Sequence, residues 1–133
     1  MKILENLLTP GDCEHLSKCI IKAWMELKQR YPGKKLGDDL VEKSVSIYGF
    51  QPTEDVLWHL TKRISIEAGT QLVPTYSYCR VYHNGAIMRP HVDRESCEYS
   101  VSLKISGDDW PLWFDVDGPK SVVLPNGSGV LYK

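Results

Sequence analysis

The feature that most constrains this chain is a change of texture near Leu72. Before it, apolar residues recur at helical spacing; after it, they fall in short runs broken by turn signals. Two helical patterns occupy the first 70 residues. Thr9-Pro10-Gly11-Asp12 opens one of them. Thr9 can cap its free N–H groups, Pro10 suits the first helical position, and Asp12 favours the positive end of the dipole. Leu16, Ile20, Trp24 and Leu27 then form an apolar stripe, which Tyr31-Pro32-Gly33 stops. The second pattern starts at Thr53 with Glu54 and Asp55, and turns Val56, Leu57, Leu60, Ile64 and Ala68 inward. It ends at Gly69, a position that suits a left-handed residue. Between the two, residues 34–43 read as a polar loop and Ser44 to Phe50 as a short strand.

The β-rich part begins with a run holding Tyr76, Tyr78, Val81 and Tyr82. Further runs span Ala86 to Asp93, Tyr99 to Ile105, Leu112 to Val116, Ser121 to Leu124 and Val130 to Lys133. Asn84-Gly85, Gly107-Asp108-Asp109, Asp117-Gly118-Pro119 and Pro125-Asn126-Gly127 separate them as turns. Short strands at this even spacing predict an α+β fold, a sandwich or jelly roll with the two helices packed on one sheet. A length of 133 residues suits one domain, with helical support over 1–70 and a β core over 71–133.

Composition narrows the partners. The formal net charge of −1 makes no bulk electrostatic case for nucleic acid or an anionic membrane, so neither is expected, although a local patch stays open. The four cysteines, at 13, 19, 79 and 97, match no zinc-ribbon or C-x-x-C redox spacing. The first eight residues are too short and too charged for a signal peptide, and no apolar run approaches the ~20 residues of a membrane span. A cytoplasmic protein with reduced cysteines is therefore expected.

His91-Val92-Asp93 is the stretch that points to chemistry. On an extended strand, residues two apart share a side, so an imidazole nitrogen and a carboxylate oxygen can converge on one metal ion. A second histidine from elsewhere would complete a facial triad that leaves three positions open on iron. Taken alone, the triplet equally describes a surface pair flanking a turn. Asp108, Asp109, Asp115 and Asp117 lack the spacing of a calcium loop and read as solvated turns.

The surroundings carry more. Tyr82-His83-Asn84-Gly85-Ala86-Ile87-Met88-Arg89-Pro90-His91-Val92-Asp93-Arg94 resembles the metal-binding signature of the prolyl-4-hydroxylase-like Fe(II)- and 2-oxoglutarate-dependent dioxygenases. There a strand-ending tyrosine is followed three residues later by a glycine turn, and nine residues later by the histidine of His-x-Asp. Ser100 to Ile105, Trp110 to Phe114 and Leu124 to Lys133 continue the likeness, which covers about residues 72–133. The resemblance implies a double-stranded β-helix of the cupin-like type, with Fe(II) and 2-oxoglutarate as cofactors and ascorbate as a further one. It implies dioxygen and a peptidyl or small-molecule substrate as partners.

Carried over by position, His91 and Asp93 are the implied iron ligands, and the Tyr82 phenol the implied hydrogen-bond donor to 2-oxoglutarate. Ser100, Ser102 and Lys104 alternate with Val101, Leu103 and Ile105, so one face of that strand is polar, as a cosubstrate pocket would require. Ser100 and Lys104 are the implied cosubstrate contacts, with a solvated edge lysine as the plain alternative for the latter. Trp110 and Trp113 either line an entrance or, as tryptophans in strands more often do, fill the core.

The family places its third ligand, a histidine, after the strand that here begins at Val130, and a basic anchor beyond it. No histidine follows His91. His15 and His59 belong on helix surfaces, and His83 should point away from Tyr82. Two explanations fit, a fragment with the last strands of the barrel missing or a natural short form that binds metal poorly and has another role; an apolar β-pattern that stops at Lys133, with a final strand short of partners, favours the fragment. The rival to a dioxygenase is a non-catalytic jelly-roll binding module in which His91 and Asp93 are structural. A zinc hydrolase lacks a general base near the motif.

Overall fold

A computed structural model describes residues 1–34, 41 and 43–133. Within them the chain is α+β, with two helices and several antiparallel strands in small sheets. The elements run β1 (Lys2–Leu4), α1 (Pro10–Arg30), β2 (Ser44–Tyr48), α2 (Gln51–Ala68), β3 (Tyr78–Tyr82), β4 (Ser100–Leu103), β5 (Leu112–Asp115), β6 (Pro119–Val122) and β7 (Gly129–Tyr132). The expected loop over 34–43 lies largely outside the described residues. No helix among the described residues is long and apolar enough to cross a membrane.

Two compact units emerge, one of Met1–Ser17 with Glu95–Lys133 and the other of Lys18–Arg94. Each draws on both the helical and the β-rich parts of the sequence, and α1 passes from the first into the second.

The first unit is built on the sheet β1-β7-β4, antiparallel throughout, with Lys2 opposite Leu131 and Ser100 opposite Tyr132. The strand expected to lack partners, β7, is instead the centre of this sheet, hydrogen-bonded on both edges. Its second partner is β1, a strand too short to leave a sequence signal. Hairpin β5–β6 turns through Val116, Asp117 and Gly118, the last two with positive φ of 56° and 103°. That turn lets pairing begin at Pro119, two residues before the expected strand start at Ser121. Leu112 and Phe114 face inward from the hairpin and pack with Tyr132 against buried Val122, Leu124 and Val130. Full burial of one such valine contributes roughly 1.5–3 kcal/mol, and Val130 is 0% exposed.

Trp113 points the other way and is 68% exposed, while Trp110 is 38% exposed. The core reading of these tryptophans is therefore corrected. Alternation along β5 commits Leu112 and Phe114 to the inside, which leaves Trp113 outside.

The start of α1 follows the sequence. Thr9 Oγ1 accepts from the Asp12 N–H at 3.1 Å, and Asp12 Oδ2 accepts from the Thr9 N–H at 3.3 Å, a reciprocal cap. Cys13, Leu16 and Ile20 are buried along the stripe. Thr9→Ala should lower stability by about 1 kcal/mol, read as a reduced midpoint in urea at unchanged slope; an unchanged midpoint would show that the cap is idle.

In the second unit, β2 and β3 form an antiparallel ribbon with Tyr48 opposite Tyr78 and Ser44 opposite Tyr82. Helix α2 starts two residues before Thr53. Phe50 is its cap residue without a side-chain bond, and Thr53 Oγ1 donates to the Phe50 carbonyl at 2.8 Å. Gly69 ends it at φ 71°. Glu54 ties this helix start to the ribbon, because Oε1 accepts from both the N–H and the hydroxyl of Ser77 at 2.9 Å.

Candidate functional site

Residues 86–93 were expected to form a strand, and they do not. Their one ladder link among the described residues is an isolated bridge between Met88 and Val41. Pro90 has no N–H to donate, which removes a ladder bond from the middle of this segment and disfavours a strand there. The side-to-side geometry survives without the ladder. Val92 is 95% exposed, whereas the side chains of His91 and Asp93 retain only 34% and 32% of their exposure and face each other.

His91 Nε2 lies 3.5 Å from Asp93 Oδ1. Two donors held about 2.1 Å from one ion, at right angles, stand about 3.0 Å apart. The observed separation thus needs only a small closure to place both atoms on a single cation. On the other side of the ring, Nδ1 lies 3.0 Å from the Arg89 carbonyl oxygen, which can only accept. Nδ1 therefore carries the proton, and Nε2 is the nitrogen left for a ligand. This is the backbone orientation that metal-bound histidines generally have. Even with the histidine protonated, a contact this exposed would contribute typically under about 1 kcal/mol to stability, so folding alone gives little reason for the arrangement.

Among the described residues, no third histidine, cysteine, aspartate or glutamate joins the pair. His15 and His59 lie exposed on the helices, as the sequence suggests. His83 stacks on Trp24, with ring centroids 5.0 Å apart. The four cysteines form no disulfide. Burial pushes the thiols of Cys13 and Cys79 above their ordinary range, with Asp12 adding to the effect on Cys13 and backbone hydrogen bonds partly opposing it at Cys79. Protonated thiols are poor metal ligands.

Tyr82 belongs to the same unit as the pair. Its phenol donates to Met88 Sδ at 3.9 Å, a weak acceptor that a carboxylate would readily replace. Ser100 and Lys104 belong to the other unit. Ser100 is half-buried opposite Tyr132, on the side of β4 that also faces Val130. The Lys104 ammonium donates to Asp109 Oδ1 at 3.2 Å, so its charge already has a carboxylate beside it. The structure thus groups His91, Asp93 and Tyr82 in one unit, and Ser100 and Lys104 in the other.

The sequence reading passed over one further grouping. Tyr76, Tyr78, Arg80 and Tyr82 alternate along a single side of β3 and its approach, and the arginine lies over two of the rings. Strict period-2 spacing of these four residues was the available signal. No protein-family model, no curated protein and no solved structure matches the chain.

Proposed function

We propose that the chain carries two of the three iron ligands of an Fe(II)- and 2-oxoglutarate-dependent dioxygenase on a double-stranded β-helix, one that hydroxylates a small-molecule or peptidyl substrate, with no third ligand among the described residues. The observation that carries this reading is the convergence of His91 Nε2 and Asp93 Oδ1 to 3.5 Å, with the imidazole oriented from behind by the Arg89 carbonyl. The donor set suits iron, since one neutral imidazole and one carboxylate are two members of a facial triad. The resemblance of residues 72–133 to the prolyl-4-hydroxylase-like signature, of which this pair is part, points the same way.

In this reading His91 and Asp93 hold the ion, and Val92, turned outward, spaces them. Tyr82, whose phenol now donates to Met88 Sδ, would instead offer that donor to a carboxylate of 2-oxoglutarate. When bound, the iron and 2-oxoglutarate supply dioxygen activation coupled to oxidative decarboxylation, yielding succinate and carbon dioxide. The chain's own part is to orient, to exclude stray water and to leave open positions on the metal.

The test is succinate release by the chain supplied with Fe(II), 2-oxoglutarate, dioxygen and ascorbate. Succinate that requires both 2-oxoglutarate and His91 is expected once a third histidine ligand and a basic anchor are supplied. A chain so completed that retains metal at the pair yet releases no succinate would instead be the non-catalytic binding module.

A further inference from the structure

The formal net charge of −1 conceals a division between the two units. Lys18–Arg94 holds twelve lysines and arginines against eight acidic residues, a surplus of four positive charges. Met1–Ser17 with Glu95–Lys133 holds four against nine, a surplus of five negative ones. Each unit also leaves a mixed apolar and charged face in water. On α2, Trp58, Lys62 and Ile66 recur four residues apart and so share a side, with Trp58 68% and Ile66 71% exposed. His59 and Arg63 flank them and are exposed too. Asp55 stands one turn before Trp58, where it accepts from Gln51 Nε2 at 2.8 Å, so the middle of this face is cationic.

On the β5–β6 hairpin, Trp113 and Asp115 alternate with the inward Leu112 and Phe114, so both point outward. The turn adds exposed Val116 and Asp117. Lys120, paired opposite Phe114, belongs to the other side of the hairpin. This face is therefore apolar and acidic, where the α2 face is apolar and basic.

We propose that the two faces are the halves of one interface, and that the partner of each is a second copy of this chain. The α2 face of one copy packs against the hairpin face of another, a heterologous contact. Charge and apolar area match together: Lys62 meets Asp115 and Asp117, while Trp58 and Ile66 cover Trp113 and Val116. Tryptophan is among the side chains that contribute most to such contacts, and here both stand 68% exposed. Other anionic partners match less well. Nucleic acid has no use for Ile66, and any large anion is also repelled by the acidic unit of the same chain. Neither face holds a residue of the metal pair, so the inference is independent of the dioxygenase reading.

The test is sedimentation velocity of the full chain up to about 1 mM, because contacts made by few side chains are weak. The average mass should rise with concentration at low salt. It should fall back toward the monomer in about 1 M salt, where the screening length is about 3 Å. Lys62→Glu and Asp115→Lys should each weaken association about tenfold, equivalent to ~1.4 kcal/mol. Both positions are exposed, where folding is least at risk. The two reversals combined in one chain should restore association, a result that damaged folding would not mimic. Trp58→Ala should weaken it as well. The proposal is overturned if the parent stays monomeric, if its association ignores salt, or if Trp58→Ala associates like the parent. It is overturned equally if the double reversal associates no better than either single one. A monomer that binds phosphatidylserine vesicles or an oligonucleotide through Lys62 would give the α2 face to another occupant and defeat it too.

Discussion

Replacing His91 or Asp93 with alanine is expected to lower Mn(II) or Co(II) affinity by at least about a hundredfold. Loss of groups that merely orient a ligand costs 10–100-fold in metal affinity, so removal of a direct donor should reach or exceed the upper end. The fold should hardly notice. Both side chains are about a third exposed, and the contact between them is an exposed one, which contributes typically under about 1 kcal/mol. Isothermal titration with the metal, beside urea unfolding of the same variants, separates the two effects. Val92→Ala is the internal control, because that side chain is 95% exposed and points away from the pair. Equal affinity in the parent, His91→Ala and Asp93→Ala would mean that the metal goes elsewhere.

Gly127→Ala should cost about 2–4 kcal/mol of folding stability, enough to rank among severe single substitutions. Two causes add. Gly127 has φ 85°, where an L side chain is strained, and an alanine Cβ would stand 2.5 Å from the Leu8 carbonyl oxygen. The neighbour is backbone, and it cannot move freely. Leu8 donates its N–H to the Gly127 carbonyl at 3.1 Å, and Gly127 donates to the Lys104 carbonyl at 2.7 Å. This turn therefore joins the entry to α1, the end of β4 and the start of β7, and relief of the clash must disturb all three. Gly33→Ala isolates the backbone strain, since Gly33 has φ 76° and no described residue stands within 4 Å of a new Cβ. It should cost only about 1 kcal/mol. Equal losses at the two positions, measured by urea unfolding, would show that the contact with Leu8 yields at no cost.

Local chemistry was the legible part of this fold. Thr9 with Asp12 names its helix start because both partners of the cap lie within one turn. Gly69 names a helix end because few other residues accept its φ. What the sequence obscured depends on partners distant along the chain. Lys2–Leu4 is a strand only because β7 offers it an edge. Ala86 to Asp93 has strand-like composition, yet it forms no strand, and Pro90 removes one donor from its middle. Trp113 could be placed outside only once Leu112 and Phe114 were seen to occupy the inside.

The candidate site divides in the same way. His91 and Asp93 were readable as a facing pair because a two-residue spacing sets a common side on extended backbone, and the two groups do face each other here although no strand forms. Lys104 was not, because its partner Asp109 lies across the Gly107 turn. The Tyr–Arg grouping was present in the spacing of residues 76–82, but a β-rich aromatic run reads first as wall. Only the facing register of β2, which sets Tyr48 opposite Tyr78, shows that this side is a surface.

The most direct measurement is Mn(II) titration of isotope-labelled chain, followed by paramagnetic broadening in NMR. If one cation sits between His91 and Asp93, their resonances should broaden first and together at substoichiometric metal, with Arg89 and Val92 next. Broadening centred on the Asp108–Asp109 turn, or on one member of the pair without the other, would contradict it.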